Sequence, residues 1–174
     1  MRHSQFIVHK YRFGLVLLLL PALLFFGGCK PKPPPPMPAA FSARAKVRYG
    51  EAAMEAALSQ EAPGCLRAEF TAPPELRGMR LSLDGERASL SYGGLAAEWE
   101  AGHLPSAGFV PLLNRALLQL AQPQAEAEPV KGGGWIVRAT ADGIGYAATL
   151  DAQGLLSRFE APGIGLVVEV FPLE

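Results

Sequence analysis

Short runs of alternating apolar and polar residues, joined by tight-turn sequences, constrain the fold of this 174-residue chain more than any other feature. The clearest run covers residues 41–49, where every second residue is apolar and Ser, Arg or Lys stands between. Two more runs, 79–83 and 88–92, flank Asp84-Gly85. Strand side chains alternate between two faces, and Asp-Gly between alternating runs is typical of a β-hairpin. We therefore predict an antiparallel sheet with one apolar face.

Further strands are predicted wherever the same pattern recurs between turn residues, at 66–70, 95–100, 135–140, 144–150, 155–161 and 164–171. Residues 51–60 are ambiguous, because their Ala- and Glu-rich composition favours a helix while Ala52, Met54, Ala56 and Leu58 alternate as in a strand. A strand is favoured there and a helix remains open. Residues 126–134, acidic and then glycine-rich, are predicted as a loop.

One segment has helical periodicity. Over residues 106–122 Val110, Leu113, Leu117 and Leu120 fall on one face, with Ser106 as the expected N-cap and Pro123 beyond the end. The predicted fold class is therefore mainly β (α+β). We expect a curved, open, antiparallel half-barrel sheet of about eight or nine strands, with one helix packed on its concave face.

The N-terminus has the organisation of a secretory signal peptide. Basic residues (Arg2, Lys10, Arg12) precede an apolar run at 13–26, which is shorter than the roughly 20 residues of a membrane-spanning helix. The sequence Gly27-Gly28-Cys29 then resembles the lipobox of bacterial lipoproteins. This resemblance implies cleavage before Cys29 and a covalent diacylglycerol on its thiol, and no other cofactor is predicted. An uncleaved membrane anchor and ordinary secretion remain the alternatives.

Three regions follow from this reading: a signal peptide at 1–28, a lipidated Cys29 with a proline-rich tether at 29–40, and one domain at 41–174. The prolines favour an extended polyproline II tether. The mature chain would have a net charge of −3, because the signal peptide contains three basic residues and no acidic one. Such a domain has no basic surface for nucleic acid.

The sequence contains no complete enzymatic motif, and we predict a non-enzymatic protein. The G-x-G-x-x-A pattern at 143–148 lies between two predicted strands, whereas a dinucleotide site needs a strand followed by a helix. His103 is the only histidine of the mature chain, so no histidine cluster is available for a metal. If Cys29 is acylated, Cys65 has no disulfide partner, and a structural thiol is favoured over a reactive one.

A surface between helix and sheet is the remaining candidate site. Its expected lining consists of large apolar and aromatic residues: Phe70, Leu83, Tyr92, Trp99, Leu113, Leu117, Leu120, Trp135 and Tyr146. These residues either pack into a solid core or line a groove for a ligand, and periodicity does not decide between the two.

The order of elements, strands first, then one helix, then a strand meander behind a lipobox, looks like the lipoprotein-carrier superfamily that includes LolA and LolB. The residues that carry this resemblance are 70–78, 83–85, 90–95, 145–154 and 161–163. It implies a half-barrel whose apolar concave face holds acyl chains. The expected function is therefore binding of a lipid or a lipoprotein acyl chain by a protein anchored on the extracytoplasmic face of the cell membrane, or of the outer membrane in a Gram-negative cell. The alternative is a structural or sensory domain that binds another envelope protein.

Overall fold

The computed structural model describes residues 34–122 and 127–173. The predicted signal peptide and Cys29 lie outside this range. The described residues form one antiparallel sheet of 11 strands and one α-helix. The strands are β1 (Phe41–Tyr49), β2 (Ala52–Gln60), β3 (Leu66–Ala72), β4 (Arg80–Asp84), β5 (Arg87–Tyr92), β6 (Leu95–Glu100), β7 (Ala127–Pro129), β8 (Trp135–Ala141), β9 (Ile144–Leu150), β10 (Leu156–Ala161) and β11 (Leu166–Pro172). The helix, α1, spans Phe109–Leu120.

The strand order is β6-β5-β4-β3-β2-β1-β11-β10-β9-β8-β7. Two meanders therefore meet at the centre, where β1 pairs with both β2 and β11. The sheet does not close, because β6 and β7 are its two edges, and α1 connects them along the chain. The prediction of a mainly β fold with one open antiparallel sheet and one helix is confirmed.

The alternating pattern predicts burial correctly along β1. Ala43, Ala45 and Val47 are at most 2% exposed, whereas the basic residues between them are exposed. The ambiguous segment 51–60 is a strand, with Ala56 opposite Ala45 in the register. Ala56 and Leu58 are buried in β2, which pairs with β1 and β3. This burial outweighs the helix propensity of the segment, because propensities differ between ordinary residues by only about a few tenths of a kcal/mol.

Two details of the prediction require correction. The sheet has 11 strands instead of eight or nine, and β7 lies within the segment expected to be a loop. The sequence of β7 has no alternating apolar pattern, so the strand could not be predicted from it; β7 is a strand because it pairs with β8. The helix begins at Phe109 with Gly108 as its N-cap, two residues after the predicted Ser106 cap, because a turn in which Gly108 N–H donates to the Pro105 carbonyl oxygen (2.9 Å) precedes it.

The helix shows that the sheet is curved. A helix of 12 residues is about 18 Å long, yet α1 contacts β3 and β4 on one side and β8 on the other. In a flat sheet β4 and β8, seven strand steps apart, would lie roughly 34 Å from each other at about 4.8 Å per step. The sheet therefore curves around α1, which occupies the concave face.

The folded domain begins earlier than the predicted boundary at Phe41. Met37, within the predicted tether, is 5% exposed and belongs to the apolar core. The Gln60 side chain donates a hydrogen bond from Nε2 to the Ala39 carbonyl oxygen (2.9 Å). The last residues of the proline-rich segment are thus part of the domain, which shortens any free tether.

Candidate functional site

The concave face of the sheet is filled by the apolar side of α1. Leu113, Leu117 and Leu120 are at most 1% exposed and pack among the inward side chains of the strands. At the start of the helix the ring of Phe109 meets Phe70 edge-on, with 6.4 Å between ring centroids. This packing is that of a protein core.

Six of the nine residues expected at a groove are placed in this core: Phe70, Leu83, Leu113, Leu117, Leu120 and Tyr146. Tyr146 also packs on Phe159, with 5.2 Å between ring centroids, and donates a hydrogen bond from its hydroxyl to Oε1 of Gln119 (2.7 Å). Burial raises the pKa of Tyr146 to about 12, so the phenol stays neutral at physiological pH. Trp135 is half-buried in β8, on the opposite half of the sheet from β6.

Polar contacts attach α1 to both halves of the sheet. Asn114 donates from Nδ2 to the Gly64 carbonyl oxygen (3.3 Å), and Gln119 donates from Nε2 to the Thr140 carbonyl oxygen (3.1 Å). Arg115 forms an ion pair with Asp142 in the β8–β9 turn. These contacts fix the position of the helix along the concave face.

The inward face of β4, β5 and β6 is less covered than the rest. Residues opposite each other in an antiparallel sheet share a face, so the register defines rows across the strands. One row runs from Ala68 through Leu81 and Leu90 to Ala97. Along it the side chains change from fully buried at Ala68 to half-buried at Leu81 and Leu90, and to exposed at Ala97.

Neighbouring rows extend this apolar surface. Leu83, Ala88 and Trp99 form a second row, in which only Trp99 is partly exposed. Tyr92 and Leu95, at the closing pair of the β5–β6 hairpin, are 45% and 80% exposed. We call this surface the wing face; it consists of Met79, Leu81, Leu90, Tyr92, Leu95, Ala97 and Trp99.

The wing face contains two of the predicted groove residues, Tyr92 and Trp99. The sequence analysis did not predict the other members of the wing face. The Asp-Gly and Gly-Gly turns were the signal that could have located them. Each turn sets the register of its hairpin, and the register places Leu81, Leu90 and Ala97 in one row. The hydroxyl of Tyr92 donates to the Glu75 carbonyl oxygen (2.6 Å), which leaves the ring as the part available for contact.

Among the surface cavities that the described residues line, three flank the core, and Leu113, Leu117 and Leu120 line none of these three. The largest, about 640 Å³, lies between α1 and the ends of β4–β6, and its lining includes Asn114, Arg115 and Glu100. A second cavity of about 340 Å³ lies on the outer face, between β1 and β2, beside Lys46. A third, about 220 Å³, surrounds Cys65.

The sequence features considered for catalysis have ordinary structural surroundings. The Cys65 thiol donates to Oδ1 of Asp84 (3.2 Å), and this bond, together with burial and the carboxylate charge, raises the thiol pKa and disfavours the thiolate. Gly143 lies in the turn between β8 and β9, and the rest of the G-x-G-x-x-A pattern lies within β9, so a strand and not a helix follows the turn. Within residues 34–122 and 127–173, no group of three or more His, Cys, Asp or Glu side chains is arranged to hold a metal ion.

Across the same described ranges, no helix combines the length and apolar character required to span a membrane.

No protein-family model matches this sequence, and no curated protein matches it. Similar solved structures include an uncharacterized conserved protein from Thermus thermophilus (14% identity, TM-score 0.44), covering 75% of this chain and 76% of that one. A LolA superfamily protein from Nitrosomonas europaea (9% identity, TM-score 0.41) covers 78% of this chain and 84% of its own length. A putative outer membrane lipoprotein-sorting protein domain from Vibrio parahaemolyticus (9% identity, TM-score 0.38) covers 78% and 83%.

The resemblance expected from the sequence is therefore found among solved structures, where LolA superfamily and lipoprotein-sorting proteins are structural neighbours. At these identities and TM-scores no residue role transfers to this chain.

Proposed function

We propose that this chain is a lipid-anchored, non-enzymatic protein of the bacterial cell envelope that holds an acyl chain on its wing face. The row from Ala68 to Ala97 carries the proposal, because it extends the apolar core without interruption onto an open surface. Exposed apolar patches of this kind mark interaction sites in soluble domains.

The chemistry of the wing face suits a hydrocarbon ligand. Its side chains are apolar or aromatic; the polar groups among them are the Tyr92 hydroxyl, which donates to a backbone carbonyl, and the indole N–H of the partly exposed Trp99. A ligand that lies across these rows therefore meets mainly apolar surface and has to offer apolar surface in return. An acyl chain meets this requirement, and covering Leu95, which is 80% exposed, would be favourable at about 25 cal/mol per Å² of apolar surface.

Anchoring through Cys29 would keep this surface next to a membrane rich in acyl chains. A diacylglycerol thioether carries two chains, which is enough for stable attachment where a single chain is marginal. Lys30, and not aspartate, follows the cysteine, which by resemblance to Gram-negative sorting would permit delivery to the outer membrane.

Changing Cys29→Ala is expected to release the protein from the membrane. The substitution removes the thiol that would receive the diacylglycerol and leaves the domain unchanged. Fractionation after salt and carbonate washes measures the effect. Cys65→Ala is the matched control and should stay in the membrane fraction; a Cys29→Ala protein that remains membrane-bound after both washes would contradict lipid anchoring.

Changing Leu95→Ser is expected to weaken binding of palmitate about two- to tenfold, as the loss of part of one leucine contact predicts. Binding is measured by native mass spectrometry and fluorescence titration on a fragment beginning at Pro33, which retains Met37 and the compact unit. Leu173→Ser is the control, since Leu173 is also exposed (45%) but lies off the wing face. Equal losses in both variants would contradict a specific site on the wing face.

A structural or interaction domain is the second candidate, and the filled concave face favours it. With Leu113, Leu117 and Leu120 fully buried, the space beneath the helix is closed, and the wing face, the outer face and the sheet edges remain for partners among the described residues. Absence of bound palmitate in the unsubstituted fragment, at concentrations that saturate a known fatty-acid carrier, would select this second function.

A further inference from the structure

The two edges of the sheet are protected unequally. At one edge β7 is only three residues long and ends in Pro129, which has no backbone N–H, and Glu128 forms an ion pair with Arg138 (2.6 Å). Short length, proline and charge are the usual protections of a sheet edge. At the other edge β6 has six residues in an unbroken register with β5 and contains no proline, and its charge protection consists of Glu98 and Glu100.

The hydrogen-bonding pattern shows which backbone groups of β6 point away from the sheet. Ala101, one residue beyond β6, donates its N–H to the Glu86 carbonyl oxygen (2.6 Å), so it is bonded to the β5 side. Bonded residues alternate along an antiparallel strand. The backbone groups of Trp99, Ala97 and Leu95 therefore face β5, and those of Ala96, Glu98 and Glu100 point outward.

The side chains of β6 specify what kind of strand would fit there. On the inward face Leu95, Ala97 and Trp99 are apolar and continue the rows of the wing face. On the outward face Glu98 and Glu100 are exposed carboxylates; Glu100 lies opposite Arg87 in the register and 3.9 Å from His103 Nε2, so Glu98 is the main position for a basic side chain of an added strand. Opposite side chains of paired strands share a face, and opposite charges there are favourable. The complementary strand consequently alternates apolar and basic residues.

A second copy of this chain is a poorer match. Two β6 strands can pair antiparallel with both apolar faces on the same side. In such a pair odd-numbered residues lie opposite odd-numbered residues, and even-numbered residues lie opposite even-numbered ones. One such register places Glu98 opposite Glu98 of the other copy, and a shift by one step places it opposite Glu100. A shift in the other direction places Glu98 opposite Ala96 and gives Glu98 no basic residue of the other copy. Like charges that face each other are destabilising.

We infer that β6 is a docking edge for an extended peptide segment of a partner protein, and that this segment alternates apolar and basic residues. Backbone hydrogen bonds from Ala96, Glu98 and Glu100 hold the added strand. Its apolar side chains cover Leu95, Ala97 and Trp99, and its basic side chains face Glu98 and Glu100. This mode of recognition is β-strand addition. The inference does not depend on the acyl-chain proposal, because it uses the backbone edge of β6.

The test titrates the full-length protein, in detergent micelles, with an acetylated and amidated peptide of alternating valine and lysine whose length matches β6. NMR shifts of β6 amides and fluorescence anisotropy of a labelled peptide measure binding. A valine–glutamate peptide of the same length is the control ligand. The lysine peptide is expected to bind and the glutamate peptide to bind at least about fivefold more weakly, as one favourable and one repulsive charge pair predict.

Two variants separate the backbone and charge contributions. Ala96→Pro removes an outward N–H without removing a β5–β6 bond, and should abolish peptide binding while the melting temperature changes little. Glu98→Lys should weaken binding of the lysine peptide about five- to tenfold and strengthen binding of the glutamate peptide. Glu51→Lys, which makes the same charge change in the β1–β2 turn, should leave both unchanged.

Binding that is insensitive to Ala96→Pro, or an equal response to Glu98→Lys and Glu51→Lys, would overturn the inference. So would sedimentation that shows a dimer of the unsubstituted protein and a monomer of Ala96→Pro, because the edge would then belong to a second copy.

Discussion

Replacing Leu117 by alanine is expected to lower the free energy of unfolding by about 2–5 kcal/mol, the range for leucine truncation in a packed core. Leu117 is 1% exposed in the middle of α1 and belongs to the same apolar cluster as Leu113 and Leu120. Truncation removes its buried methyl groups and leaves a space that α1 has little freedom to close. The helix is attached to Gly64 on one side and to Thr140 on the other.

The next residue of the helix supplies the control. Leu118 is 38% exposed, so Leu118→Ala changes the same residue type in the same helix and should cost less than about 1 kcal/mol. Denaturant melts of both variants at equal slope measure the difference. A loss near 1 kcal/mol for Leu117→Ala would mean that the concave face already has space beside the helix, which would favour an acyl chain in the groove over one on the wing face.

Replacing Gly134 by alanine is expected to destabilise the protein by several kcal/mol. Gly134 has φ +96°, and a Cβ there would overlap the Leu150 carbonyl oxygen, with Asp151 backbone atoms 3.3 Å away. The backbone conformation costs a non-glycine residue about 1–3 kcal/mol. Displacing backbone atoms to make room adds roughly 1–3 kcal/mol, as in other overpacked sites.

Gly133 separates these two contributions. It has φ +99°, close to that of Gly134, but a Cβ at this position would meet only the Ala152 side chain at 3.7 Å. Gly133→Ala therefore reports the cost of the backbone conformation, and the excess in Gly134→Ala reports the overlap with β9. Equal melting temperatures for the two variants would show that the turn before β8 moves freely, contrary to the close approach of Trp135 and Leu150 in the register.

The Gly134→Ala substitution is expected to affect α1 as well as β8. β8 begins at Trp135 and receives the hydrogen bond from Gln119 at Thr140. Displacing the start of β8 therefore loosens one of the two attachments of α1. We expect Gly134→Ala to increase hydrogen exchange in α1 as well as in β8.

Strands and turns follow from local sequence, because the information for both lies within a few residues. The alternation in β1 requires one apolar face, and the glycine at position 85, with φ +58°, suits the tight turn between β4 and β5. These features predict where strands lie, which way their side chains point and how hairpins pair. They also predict the apolar face of α1, since Val110, Leu113, Leu117 and Leu120 recur at helical spacing.

The candidate site was predicted less well, because burial depends on neighbours that are distant in sequence. Leu117 and Tyr92 look equally suitable for a groove in the sequence. Leu117 becomes core since α1 lies across the concave face, and Tyr92 stays 45% exposed since β5 lies near the edge of the sheet. Neither fact can be read from residues near them in the chain.

The sequence by itself determined short antiparallel strands, the tight turns between them and one amphipathic helix. Only the tertiary structure decided that β1 pairs with β11, that α1 fills the concave face, and that β6 is the open edge. The physical reason is the distance along the chain over which each interaction acts. Side-chain alternation and turn chemistry act between nearby residues, whereas the β1–β11 pairing joins segments more than a hundred residues apart, and the position of α1 depends on strands on both sides of it in the chain.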